Sequence, residues 1–233
     1  MARAEPVQPT PQEIPKPAPK PQVVMPSLTP RSAAAGDLAL FDAVETAIRE
    51  GRTTDARVQG HGEREYRDMP APGAVLIGLD VILAPFGDEK ILRAVRPLFW
   101  SREGVREGSW HGRLEGEPIR LEAKPGYIVG QIKGRCGLAM VGVQLVFMRT
   151  ADGVIDREDR YESPYVGGEG GGEFEPFGGD GSPIVGLAGR EAVRDNDDFS
   201  GLGQCSARRC ASRLLRRRNV LLRRPANSHC SNA

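Results

Sequence analysis

The sequence predicts an all-β domain carried behind a proline-rich leader, and three observations predict it. Apolar residues alternate at a period of two from Val141 through Val143 and Leu145 to Phe147, a spacing that puts side chains on one face of a strand. Three segments, Gly73–Trp100, Lys124–Thr150 and Gly179–Gln204, share one plan, in which a strand leads through a turn to a second apolar element. Each carries an apolar residue followed by glycine near its start: Ile77-Gly78, Val129-Gly130 and Val185-Gly186. Glycine inside a strand supplies no packing atoms, so its recurrence points to a bulge or to close approach of another backbone. Glycine (29 residues) and proline (19) are both high in the 233-residue chain, which suits tight turns and a tail better than long helices.

Residues 1–34 read as a tether. Prolines 6, 9, 11, 15, 17, 19, 21, 26 and 30 remove the amide donors that helix or sheet needs, so the segment favours extended polyproline conformation and stays disordered. Its alternation of Lys-Pro and Glu-Pro resembles the stiff linkers of bacterial envelope proteins. No apolar stretch of a secretion signal is visible in the chain as written, which leaves bacterial cytoplasm or envelope open. Residues 35–71 form a short helix and a polar linker: Asp37 caps a helix over Leu38–Glu50, with Leu38, Phe41, Val44 and Ile48 on one stripe and Gly51 as its stop. Residues 53–72 are polar and irregular, and His61 between two glycines is a solvated loop residue.

The β domain spans residues 72–204. In its central unit Lys124-Pro125-Gly126 turns the chain, Tyr127–Ile132 is β-branched, and Gly134-Arg135-Cys136-Gly137 turns it again. Polar connectors, Ser101–Glu117 and Ala151–Gly172, lie between the units and are where a binding surface belongs. Residues 205–233 are a basic tail, with eight Arg and no Asp or Glu after Gln204. Two accounts stand for it: a basic amphipathic stretch suited to nucleic acid or an anionic membrane, or a shift of reading frame near Gln204. The break falls inside a repeating unit, which favours the second account and would leave the last sheet short of a strand, with an unpaired edge.

The combination KPGYIVGQIKGRCG…VGVQLVF with GGEGGGEFEPFGGDGSPIVGLAGR resembles jacalin-related lectins, and specifically bacterial jacalin-like domains that carry the Lys124–Tyr127, Val146–Arg149 and Tyr161–Ser163 signatures. The resemblance covers roughly residues 72–203. It implies a β-prism of three antiparallel sheets in Greek-key units about a pseudo-threefold axis, with sugar bound in loops at one end. Such lectins place an Asp after the Gly-Arg turn to accept hydrogen bonds from sugar hydroxyls. Here Val141 matches that position in the second unit and Ser200 in the third, so Asp195, Asp197 and Asp198 are the substitutes, or are solvated.

The candidate ligand-binding residues are therefore Gly168, Gly170, Gly171, Asp180, Asp195, Asp197 and Asp198. Glycines at 168–172 and 178–181 expose backbone amides to a ligand, or simply turn the chain. Trp110 with His111, and Tyr161 with Tyr165, are either stacking faces or lids on the β core. Cys205-x4-Cys210 has the wrong spacing for a zinc knuckle, and the acidic groups lack calcium-loop spacing, so neither a metal nor a cofactor is called for. No nucleophile elbow, metalloprotease, P-loop or dinucleotide motif is present, and three scattered histidines make no triad. The longest apolar run, residues 74–84, is too short to span a membrane and carries Asp80. These features describe a non-enzymatic recognition module whose partner is carbohydrate or, if the prism has lost its sugar loops, another protein. Nucleic acid enters only if the basic tail is genuine.

Overall fold

The computed structural model describes residues 27–55, 59–60, 64–191 and 199–207. Among these residues one helix, α1 (Ala35–Arg49), precedes sixteen strands. The first three are β1 (Thr53–Asp55), β2 (Gln59–Gly60) and β3 (Arg64–Asp68). Then come β4 (Val75–Phe86), β5 (Glu89–Ser101), β6 (Gly104–Glu107), β7 (His111–Gly112) and β8 (Ile119–Glu122). The central group is β9 (Tyr127–Cys136), β10 (Met140–Ala151), β11 (Val154–Glu162), β12 (Val166–Gly167), β13 (Gly172–Glu173) and β14 (Phe177–Gly178), and β15 (Ile184–Glu191) and β16 (Phe199–Ala207) end the order.

These strands make three antiparallel sheets, each built on one long hairpin flanked by shorter strands. The first runs β6-β5-β4-β8 with β7 also on β5, and the second β11-β10-β9-β13 with β12 on β10 and β14 on β9. The third runs β1-β16-β15-β3 with β2 also on β16. Leu76, Leu79, Val95 and Phe99 of the first sheet meet Val129, Ile132, Leu145 and Phe147 of the second and Ile184 and Leu187 of the third in one buried core. This is a three-walled prism, and the three hairpins are the three sequence repeats.

The recurrent glycines lie at or beside a break in register. Register slips by one residue at Ile77 in β4, at Gly130 in β9 and at Val185 in β15, so a bulge falls at the same point of all three hairpins. A Cβ on Gly78 would stand 2.2 Å from the Leu121 carbonyl of β8, and one on Gly130 2.3 Å from the Met148 sulfur.

Several sequence expectations need correction. The stretch 53–72 is not irregular: β1, β2 and β3 pair with the far end of the chain, Thr53 opposite Ala207 and Arg64 opposite Glu191. The last sheet does not lack a strand, because β16 fills it and runs on through Cys205–Ala207, three residues assigned to the tail. The polar connectors contain β6, β7, β11 and β12, which are the outer strands of the sheets. Gly134 and Arg135 belong to β9, and the turn comes after Cys136. Residues 1–26, His61 and residues 208–233, with most of the basic tail, lie outside the described residues.

The helix starts earlier than expected and presents a rotated face. Asp37 is its third residue rather than its cap, its carboxylate accepting the Ala34 amide at 2.9 Å, and Leu40, Phe41, Val44 and Ala47 are buried while Leu38 is exposed. Phe41 meets Trp100 edge-on at 5.0 Å, and the helix joins Val75, Ile77, Leu98, Ile128, Val146 and Val185 in a second core. Those residues come from the same end of all three hairpins, so α1 stoppers one end of the prism. Residues 27–34 do not leave the domain as a tether. Arg31 is buried beneath them, its guanidinium donating to the Tyr127 carbonyl at 3.1 Å, lying 3.8 Å from Glu122 and stacking over Trp100.

On the outer face of the first sheet Asp80 is fully buried. Its carboxylate accepts from Arg96 at 2.6 and 3.0 Å and from Arg120 at 2.7 and 2.8 Å. Glu107 pairs with both arginines, and Trp110 lies over Arg96 at 4.9 Å.

Candidate functional site

With α1 on one end of the prism, the hairpin turns lie at the other. The β4–β5 turn (Gly87, Asp88), the β9–β10 turn (Gly137–Ala139) and the paired ends of β15 and β16, Glu191 and Phe199, all belong there. Ala84, Ile91, Ala139 and Val141 form a small apolar cluster beneath the first two turns. Val141, expected on the same face as Val143, joins this cluster because the register of β10 slips between Met140 and Gly142.

The glycine-rich loop at residues 167–171 packs onto this end, and its backbone is held by side chains from two sheets. Arg135 donates to the Gly170 carbonyl at 3.0 Å and to the Gly171 carbonyl at 2.8 Å. Glu89 accepts the Glu169 amide at 3.0 Å, the Gly168 amide donates to the Val141 carbonyl at 3.1 Å, and Tyr165 donates its hydroxyl to the Gly168 carbonyl at 2.8 Å. Burial raises the Tyr165 phenol, which keeps it a donor. Gly168 has to be glycine because a Cβ there would stand 2.5 Å from the Lys90 carbonyl. Gly171 adopts φ +66, and a Cβ on it would lie 2.7 Å from the Cys136 carbonyl.

The structure thus brings Gly168, Gly170 and Gly171 together, with much of their polar backbone already committed inside the protein. Asp180 is elsewhere. It sits after β14, where Gly179 donates to the Gly130 carbonyl, six residues along β9 from the Cys136 neighbour of Gly171, or about 20 Å at strand rise. Its carboxylate accepts the Ser182 amide at 2.9 Å and hydroxyl at 3.1 Å, the ordinary work of an aspartate in a turn. Asp195, Asp197 and Asp198 fall in the connection between β15 and β16 and lie outside the described residues, as does the side chain of Ser200.

Of the four aromatic candidates, three are committed to packing. Trp110 covers Arg96, His111 stacks on Tyr66 at 3.7 Å, and Tyr161 packs on Tyr127 and Phe147 with Lys124 above it. Tyr165 remains 39% exposed. Sequence reasoning passed over Arg135, which it read as part of a turn; only the pairing of Arg135 with Glu173 in the neighbouring strand gives it a clamp's position. Among the described residues no three His, Cys, Asp or Glu side chains are grouped to hold a metal ion, and no helix is long and apolar enough to cross a membrane.

No protein-family model matches the chain, and no curated protein matches it. Solved structures do. Artocarpin in complex with mannopentose superposes at a TM-score of 0.50 with 13% identity over 66% of this chain and 97% of its own. Wild-type Malaysian banana lectin gives 0.48 and 19%, over 66% of this chain and 97% of its own. A mannose-specific jacalin-related lectin from Morus nigra, solved with mannose, gives 0.47 and 17%, over 67% and 95%. The fold is the jacalin-like lectin fold, a β-prism, as the sequence resemblance implied.

Proposed function

We propose that this chain is a non-catalytic recognition module that binds carbohydrate at the hairpin-turn end of its prism. One observation carries the reading: turns from separate sheets gather at that end with the glycine loop, while α1 stoppers the other. Asp195, Asp197 and Asp198 belong to the β15–β16 connection and offer carboxylates that accept hydrogen bonds from vicinal hydroxyls. A fold shared with artocarpin, a protein solved with mannopentose, supports the reading at the level of architecture. A glycan array probed with the full chain tests it. Binding that disappears in the combined Asp195→Ala, Asp197→Ala and Asp198→Ala variant is the expected result.

A second reading has its own observation. Phe86 and Leu138 are 52% and 79% exposed on the β4–β5 and β9–β10 turns, and apolar side chains on turn tips suit a protein partner better than a sugar. An array silent across all glycans would favour that reading and remove the first.

A further inference from the structure

We propose that a groove on the outer face of the second sheet is a separate saccharide site, selective for a neutral hexopyranose; it rests on the carbohydrate reading above. The groove encloses about 330 Å³ between the glycine loop and β14, with Lys133, Arg135, Gln144, Tyr165 and Glu173 around Gly134. That is the lower end of the range for small-molecule sites, about 300 Å³.

The lining is organised before any ligand arrives. Lys133 is directly opposite Gln144, and Arg135 directly opposite Gly142 and Glu173, so these side chains rise from one face of the sheet. Tyr165 folds over Gly142, where a Cβ would lie 2.1 Å from the phenol oxygen, and its hydroxyl is tied to the Gly168 carbonyl. Absence of a side chain at Gly142 is what lets the ring lie against the sheet as a wall. Arg135 is fixed by the Gly170 and Gly171 carbonyls, and Gln144 by donating its amide to the Ser163 carbonyl at 3.1 Å, which leaves the amide oxygen as an acceptor. Side chains locked in this way lose little entropy when a ligand binds.

Charge selects the ligand class. Lys133 is paired with Glu162 at the rim and Arg135 with Glu173, so two cations and two carboxylates cancel. An anion would meet the carboxylates and a cation the ammonium and guanidinium. A neutral polyhydroxylated ring meets alternating donors and acceptors, with the partly exposed Tyr165 ring for its apolar face.

The test is backbone-amide NMR on the full ¹⁵N-labelled chain titrated with the methyl glycosides of mannose, glucose and galactose, and with glucuronic acid. Saturable shifts at Lys133, Arg135, Gln144, Tyr165 and Glu173 are expected with a neutral glycoside, weakened about tenfold by Tyr165→Ala, the loss typical of an aromatic anchor. Gln144→Ala and Glu173→Ala, which disturb no buried packing, should weaken them as well and serve if Tyr165→Ala fails to fold. The same shifts should persist in the triple Asp195, Asp197 and Asp198 alanine variant. Shifts confined to the hairpin-turn end overturn the groove and leave the proposed function standing, and tighter binding of glucuronic acid overturns the neutral class. No saturable shift with any of the three neutral glycosides overturns the groove, while the glycan array decides the proposed function separately.

Discussion

Replacing Asp80 with alanine should be among the most damaging single changes the β domain can suffer. The carboxylate is wholly buried and accepts four charge-assisted hydrogen bonds from Arg96 and Arg120, whose side chains are only 7% and 10% exposed. Alanine removes the anion and leaves two guanidiniums sharing Glu107, which is itself 30% exposed. Breaking a buried ion pair from one side costs about 3–5 kcal/mol, because the remaining charge is desolvated without compensation. Against a total stability of about 5–15 kcal/mol, that is a large fraction. Asp80→Asn keeps the shape and one acceptor, so it should cost less. Replacing Asp80, Arg96 and Arg120 together with Leu, Met and Leu should restore most of the loss, since an apolar cluster carries no desolvation penalty. Equilibrium urea unfolding of the three variants measures all of this. A loss below about 1 kcal/mol for Asp80→Ala would refute the reasoning, by showing that water or Glu107 already neutralises both arginines.

Three further outcomes follow from local geometry. Gly78→Ala drives a Cβ into the Leu121 carbonyl and should lower stability by about 3 kcal/mol in the same assay, whereas Gly172→Ala, with open space around it, should change it by under about 0.5 kcal/mol. Arg31→Ala should expose residues 27–34 to limited proteolysis and cost about 1–3 kcal/mol, because Glu122 then loses its buried partner. Tyr127 donates to Asp159 at 2.6 Å, a bond that raises the phenol and, with Arg149, lowers the carboxyl. The phenol's contribution to stability is present below its unfolded value of about 10 and fades as pH rises through the higher folded value; the carboxyl's is present above about 3.9 and fades as pH falls through the lower one. Asp159→Asn should shift one tyrosine downward in an ultraviolet titration, and an unchanged curve would count against the bond.

The long hairpins were legible because their apolar alternation and their glycine bulges are both local signals. Ile77-Gly78, Val129-Gly130 and Val185-Gly186 mark one bulge three times over, and the chain carries the mark in its residue order. The outer strands were not legible. In β11 only Ile155 is buried, and in β3 no residue is, so neither writes a core face into the sequence. Nor could sequence join β1–β3 to β15 and β16, because that pairing spans more than a hundred residues. The helix stripe was misplaced for a related reason: Leu38 fits the period as well as Leu40, and only the second core against which the helix packs decides which turns inward. At the site, the glycine loop was found by composition. The Arg135 clamp and the Tyr165 wall depend on neighbours in other strands, and Gly142 signals the wall only once Tyr165 is known to cross it.

The third sheet joins strands from opposite ends of the described chain, Thr53 against Ala207 and Glu65 against Arg190. During synthesis β1, β2 and β3 leave the ribosome long before β15 and β16 exist to receive them. Two walls can close from nearby hairpins while these early strands wait unpaired, available to a chaperone or to another copy of the same chain. Completion of that wall is then a late event, so a ribosome stalled before Ile184 would release two walls and a loose ribbon.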